Sequence, residues 1–85
     1  MNARQLETCD FAKTAAKART MSDEALAYTI NDCREAARAA ESLDRIGMPN
    51  NAGKYWDEFY TFGAEQARRE NAKHVAEHRR RGGRI

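Results

Sequence analysis

Apolar residues recur with helical spacing in the middle of the chain. Leu26, Ile30, Cys33, Ala37 and Ala40 follow one another in steps of four, three, four and three residues. Such spacing places them on one face of an α-helix, and charged residues occupy the opposite face. The pattern therefore predicts an amphipathic helix that packs through its apolar face.

A start signal for this helix lies just before its first apolar position. Ser22 is a favourable N-cap residue, and Asp23 with the glutamate after it suits the positive end of the helix dipole. Met21 and Leu26 have the spacing of a hydrophobic staple. We therefore expect the helix to begin after Ser22, and Gly47 to end it.

Two further helices are predicted on either side. Frequent alanines and a weak apolar stripe predict a shorter helix over residues 2–18, with Asn2 as its N-cap. After a loop around Pro49, a long helix is expected from about Ala52 to about Arg80. The predicted fold is all-α, a small helical bundle of two longer antiparallel helices plus a shorter N-terminal helix. It forms a single domain over residues 1–81 with a flexible tail at 82–85.

The apolar composition predicts a thin core. Leu, Ile, Val and Phe together number only 10 of 85 residues, whereas alanine alone numbers 16. The large side chains crowd the first turns of the last helix: Tyr55, Trp56, Phe59, Tyr60 and Phe62. We expect at least three of these five in the core because little else can fill it. Trp56 and Tyr60 are the candidates for exposed anchors in a protein interface.

Charge is distributed unevenly along the chain. The net charge is +2, but residues 1–67 carry −3 and residues 68–85 carry +5. The basic residues could neutralise phosphates, dock on an acidic protein surface, or only solubilise the helix end. The residues predicted to contact a protein partner are Trp56, Tyr60, Arg68, Arg69, Arg79, Arg80 and Arg81. Those predicted for the nucleic-acid alternative are Arg68, Arg69, Lys73, Arg79, Arg80, Arg81 and Arg84.

No residue pattern indicates catalysis or a bound metal. His74 and His78 are one helical turn apart and Glu70 precedes them by another, but no HExxH motif is formed, so solvated histidines are the preferred interpretation. Cys9 and Cys33 form no CxxC pair and lie on apolar stripes, which favours packing as small hydrophobes. The sequence therefore predicts a protein that is not an enzyme, with no metal site and no cofactor.

Two segments together resemble short accessory proteins encoded by bacteriophages and prophages. They are MSDEALAYTINDCREA at 21–36 and NAGKYWDEFYTFGAEQARR at 51–69. Proteins of that kind form helical hairpins, and many inhibit host machinery or defence systems by direct binding, anti-CRISPR proteins among them. The resemblance implies a non-enzymatic inhibitor that binds a host or defence-system protein stoichiometrically in the cytoplasm of a bacterial host cell.

Two other functions are consistent with the sequence. The first is an accessory nucleic-acid-binding protein that uses the arginine-rich C-terminal helix. The second is a structural phage component that assembles with further copies of the chain as a homo-oligomer. No apolar run has the length of a signal peptide or a membrane span, so we expect a soluble intracellular protein without a membrane partner.

Overall fold

Three α-helices account for most of the chain. A computed structural model describes residues 6–80, with the side chains of residues 6–79. Helix α1 spans Phe11–Thr20, α2 spans Asp23–Glu41 and α3 spans Ala52–Arg80, while a 3-10 helix at Ser42–Ile46 follows α2 directly. Residues 6–80 contain no β-strand. The predicted all-α class is confirmed.

The two longer helices, α2 and α3, pack against each other in antiparallel orientation. Asp23 at the start of α2 forms an ion pair with Lys73 late in α3, and Glu41 at the end of α2 accepts a hydrogen bond from Trp56 early in α3. Helix α1 packs against α3. The predicted bundle of two longer helices and a shorter N-terminal helix is confirmed.

Helix α1 begins later than the sequence pattern predicts. The prediction of helix over residues 2–18 is wrong at residues 6–10, which are not helical, and its proposed cap Asn2 lies outside the described residues. The helix starts at Phe11 because Asp10 is its N-cap. Asp10 has extended backbone angles, and its carboxylate accepts a hydrogen bond of 3.0 Å from the Lys13 amide.

The start of α2 follows the sequence signals closely. Ser22 Oγ accepts a hydrogen bond from the Ala25 amide at 3.1 Å, which satisfies one of the free amides at the helix start. Met21 packs against the core cluster that contains Leu26, as the staple spacing predicts. Only Met21 and Ser22 separate α1 from α2, so the two helices are joined by a tight turn.

The loop before α3 is built by glycine and asparagine. The prediction that Gly47 ends α2 is wrong in detail, because α2 ends at Glu41 and Gly47 ends the 3-10 helix that follows it. Gly47 has a φ of 70°, a left-handed conformation that favours glycine. Asn50 Oδ1 then accepts a hydrogen bond of 3.0 Å from the Ala52 amide, the first amide of α3, which has no partner within the helix. The predicted limits of α3 are confirmed. Within residues 6–80 no helix, α3 included, is both long and apolar enough to cross a bilayer.

The core is small and only partly aromatic. Ala18, Leu26 and Phe62 form its buried cluster, one residue from each α-helix. The expectation that at least three of the five aromatic residues are core is wrong, because Phe62 alone is buried. Tyr55, Trp56 and Phe59 are half-buried, and Tyr60 is exposed. The reason is geometric: side chains at 100° intervals cover a wider arc than two packed helices conceal.

Candidate protein-interaction surface

Three aromatic rings on the first half of α3 contact one another. Trp56 and Phe59 meet edge to face, with centroids 5.4 Å apart and planes at 88°. Phe59 and Tyr60 meet at 5.2 Å and 74°, and Trp56 and Tyr60 are 6.3 Å apart. Edge-to-face contact aligns the positive ring edge with the negative ring face, so these contacts favour one defined arrangement.

The end of α2 adds a polar contact to these rings. The Trp56 indole N–H donates a hydrogen bond of 2.7 Å to a Glu41 carboxylate oxygen, which fixes the indole from a second helix. Tyr60 is 66% exposed although it contacts two rings. We call Glu41, Trp56, Phe59 and Tyr60 the aromatic surface. It presents an apolar body with a carboxylate at its edge.

The aromatic surface agrees in part with the sequence prediction. Tyr60 is exposed, whereas Trp56 is half-buried and already has a hydrogen-bond partner. Sequence reasoning did not assign Phe59 or Glu41 to this surface. The spacing of three residues between Trp56 and Phe59 was a usable signal. Glu41 lies 15 residues before Trp56 and joins the surface only through the packing of α2 on α3.

A buried carboxylate organises two of the predicted arginines. Glu65 is 8% exposed and accepts hydrogen bonds from Arg68 Nε at 3.0 Å, Arg68 Nη2 at 2.7 Å and Arg69 Nε at 2.7 Å. Hydrogen bonds from Arg68 and then Arg69 lower the pKa of Glu65 to about 2. Both guanidinium groups are therefore engaged within the molecule.

Arg69 also ties α3 to the junction of α1 and α2. Its Nη1 donates to an Asp23 carboxylate oxygen at 2.8 Å, and its Nη2 donates to the Ala18 carbonyl at 3.0 Å. The Arg69 side chain is only 17% exposed. Lys73 adds a second ion pair to Asp23 at 3.3 Å. Hydrogen bonds from Arg69 and Lys73 lower the pKa of Asp23. We call Asp23, Glu65, Arg68 and Arg69 the Glu65 cluster.

The last turns of α3 extend beyond the helix they pack on. Asp23 is the first residue of α2 and pairs with Lys73, so residues 74–80 pass the end of α2. We call residues 74–80 the projecting segment. Every described side chain in it is exposed, including Val75 at 51% and Arg79. Arg81, Arg84 and the Arg80 side chain lie outside the described residues, as does the predicted tail at 82–85.

The residues considered for a metal site do not converge. Residues 6–80 contain no group of three His, Cys, Asp or Glu side chains arranged to hold an ion. His74 and His78 are exposed on the projecting segment, and Glu70 forms an ion pair with Lys73 at 3.7 Å. The side chains at these positions therefore lie in solvent or in an ordinary surface ion pair.

The two cysteines have different surroundings. Cys33 is half-buried and packs against the core cluster, as its position on the apolar face of α2 predicts. Cys9 lies in the non-helical segment before α1, so its predicted place on a helical stripe is wrong. Its sulfur is 3.7 Å from Thr14 Oγ1. Burial, as the main cause, raises the pKa of the Cys33 thiol.

Comparisons with known proteins give no match: no family model, no curated protein and no solved structure is similar to this chain at a significant level. The aromatic surface, the Glu65 cluster and the projecting segment are therefore interpreted from their own chemistry.

Proposed function

We propose that this protein acts without catalysis, by binding another protein stoichiometrically and covering part of that protein's surface. The observation that carries the proposal is the exposure of Tyr60 within a fixed group of aromatic rings. The resemblance to phage and prophage accessory proteins suggests the class of partner, a host or defence-system protein. The proposed mode of action is inhibition by masking, as in anti-CRISPR proteins.

The aromatic surface has the properties of an interface anchor. Tyrosine and tryptophan dominate the binding energy of many protein interfaces because they bury a large apolar area and keep a polar group. The Glu41 hydrogen bond and the ring contacts of Phe59 hold Trp56 in place before any partner arrives. A surface ordered in advance loses less conformational entropy on binding than a mobile one.

The basic residues extend the proposed interface in different ways. Arg68 is 64% exposed beyond its contacts with Glu65, and Arg79 is exposed on the projecting segment. Arg80 and Arg81 are proposed contacts on sequence grounds alone. Arg69 supports the surface indirectly, because its hydrogen bonds to Asp23 and Ala18 hold α3 against the other two helices.

Affinity capture tests the proposal with two matched tyrosine variants. The tagged protein is incubated with nuclease-treated lysate of a bacterial host, and retained proteins are quantified against the tagged chain. Tyr60→Ala should reduce capture of a protein retained at fixed stoichiometry. Tyr28→Ala should not, although Tyr28 is 75% exposed and also lies on a long helix. Equal retention by both variants would contradict the proposal. So would the absence of any retained protein from the nuclease-treated lysate.

A second candidate function is nucleic-acid binding through the projecting segment. The observation that favours it is an exposed helical segment that carries Arg79 and leads into further arginines. Affinity for duplex DNA or RNA should then fall steeply with salt, and charge reversal at residues 79–81 should abolish it. Arg69 and Lys73 are less available for this role, because both pair with Asp23.

A further inference from the structure

A cavity of about 350 Å³ opens between the three helices, and no residue of the aromatic surface lines it. Residues from the segment before α1 and from α1, α2 and α3 line it. Its volume lies at the lower end of the range for small-molecule sites, roughly 300–1,000 Å³. The size suits a small metabolite better than a peptide or a macromolecule.

Lysines surround this cavity, and two of them have no ion-pair partner among residues 6–79. Lys13 and Lys17 lie one turn apart on α1 and both line the cavity. Like charges at this spacing repel each other weakly. The third lysine, Lys54, differs from them because it pairs with Glu7 at 2.9 Å and with Glu58 at 3.5 Å. An anion placed between Lys13 and Lys17 would therefore meet two unneutralised ammonium groups.

The acidic residues of the cavity wall are already occupied. The Asp10 carboxylate accepts the Lys13 amide hydrogen bond as the cap of α1. The Glu58 carboxylate faces the Lys54 ammonium. The amide hydrogen bond leaves the charge of Asp10 in place, but three lysines line the cavity against two carboxylates, so its lining carries a net charge of +1. This arrangement favours an anionic ligand over a cationic one.

The remaining lining residues indicate the chemistry of the rest of the ligand, beyond its anionic group. Thr14 and Thr29 bring hydroxyl groups that can donate hydrogen bonds to oxygen atoms. Phe62, which is 4% exposed overall, and the half-buried Cys33 supply apolar surface. Burial raises the pKa of the Cys33 thiol, so the thiol stays neutral and adds no negative charge to the cavity. The cavity thus combines a cationic rim with an apolar wall.

We propose that this cavity binds a small phosphate monoester with a compact apolar body. The phosphate lies between Lys13 and Lys17, and the apolar body lies against Phe62 and Cys33. A phosphate monoester carries close to two negative charges at neutral pH, which matches two neighbouring ammonium groups better than a single carboxylate does. This inference does not depend on the proposed protein-binding function.

Titration calorimetry with phenyl phosphate tests the assignment on the full chain. Phenyl phosphate should bind saturably at one site, and inorganic phosphate and phenol should each bind at least about tenfold more weakly, because each lacks half of the recognised chemistry. Lys17→Gln should lower the affinity for phenyl phosphate by about tenfold or more, the loss expected for one charged hydrogen bond.

Arg19→Gln is the matched control, because it removes one positive charge from the same helix. Arg19 lines a different cleft, between α1 and α3, so its loss should leave the affinity unchanged within about twofold. Glutamine has nearly the same helix propensity as lysine and arginine, so all variants should keep their helical circular dichroism.

Alkylation of Cys33 gives a second readout in a Cys9→Ser background. Phenyl phosphate should slow the reaction of Cys33 with iodoacetamide, because the thiol lines the occupied cavity. The inference is overturned by absence of saturable binding, by equal losses in Lys17→Gln and Arg19→Gln, or by unchanged Cys33 alkylation at saturating ligand. Equal affinities for inorganic phosphate and phenyl phosphate would overturn the assigned apolar body.

Discussion

The two ends of α3 are one continuous helix, yet they are stabilised in different ways. In its first half Phe62 is 4% exposed and Glu65 is 8% exposed. Phe62 belongs to the core cluster, and Glu65 holds Arg69, which bonds to both other α-helices. In the projecting segment every described side chain is exposed. The first part is held by tertiary packing, whereas the second depends on helix propensity and on continuity with the packed turns.

This difference assigns separate roles to the two parts. The packed part presents the aromatic surface with little freedom to rearrange, because α2 and α1 fix α3 from two sides. The described side chains of the projecting segment are all exposed, so tertiary packing contributes little to this part of the helix.

The largest expected effect is the loss of the core aromatic residue. Phe62→Ala should lower the free energy of unfolding by about 3–5 kcal/mol, which approaches the whole stability of a domain with so small a core. Val75→Ala also removes an apolar side chain from α3, but Val75 is 51% exposed, so the change should stay within about 0.5 kcal/mol. Urea denaturation followed by circular dichroism measures both. Similar losses of unfolding free energy in the two variants would contradict the difference between the packed part of α3 and the projecting segment.

Acid should weaken the packed part through the Glu65 cluster. Folding lowers the pKa of Glu65 from 4.5 to about 2, so the unfolded chain takes up the proton first as the pH falls. The stabilising contribution is therefore complete above pH 4.5 and is lost as the pH decreases toward 2. Asp23, whose pKa is also lowered, acts in the same direction.

Glu65→Gln is the variant that isolates this contribution. Glutamine keeps the side-chain shape, but it has no negative charge and accepts weaker hydrogen bonds from Arg68 and Arg69. The melting temperature of the variant should therefore lie clearly below that of the wild type at pH 7. The difference should shrink steadily as the pH is lowered from 4.5 toward 2 and vanish only below pH 2, where Glu65 is protonated in both the folded and the unfolded state. Thermal melts at several pH values measure it, and a difference independent of pH would exclude the cluster as its origin.

Two glycine substitutions should change stability in opposite directions by a smaller amount. A Cβ added at Gly63 meets no atom within 4 Å and lies inside α3, so Gly63→Ala should stabilise the protein by roughly 0.5–1 kcal/mol. Gly47 has a φ of 70°, and Gly47→Ala should therefore destabilise it by about 1 kcal/mol. Chemical denaturation of both variants checks the pair. Destabilisation by Gly63→Ala would show that another helix packs closely there.

The helices were predictable where local signals decide their limits. Ser22 and Gly47 act within a few residues of themselves, so their effects could be inferred from sequence. The predicted start of α1 is wrong because it rests on Asn2 as the cap, whereas Asp10 caps the helix in the structure. Asparagine and aspartate are about equally good N-caps, so residue type alone does not choose between them. Burial of the aromatic residues was also overestimated, since it depends on how much of α3 the other helices cover.

The aromatic surface and the Glu65 cluster were less predictable than the helices. Tyr60 could be chosen because it lies outside the main apolar stripe of α3. The Glu41–Trp56 hydrogen bond and the Arg69 contacts with Asp23 and Ala18 span 15, 46 and 51 residues. Such contacts depend on tertiary packing, so a basic run in the sequence gave no sign that Arg69 is a structural residue.

We propose that the protein works by occupying a partner's surface through Tyr60 and its aromatic neighbours. The most direct measurement is a calorimetric titration of the captured partner with wild-type protein, Tyr60→Ala and Tyr28→Ala. We predict a saturable complex of fixed stoichiometry whose affinity falls at least about tenfold in Tyr60→Ala and is unchanged in Tyr28→Ala. Equal affinities for Tyr60→Ala and wild type, or conversion of the partner in a catalytic reaction, would contradict it.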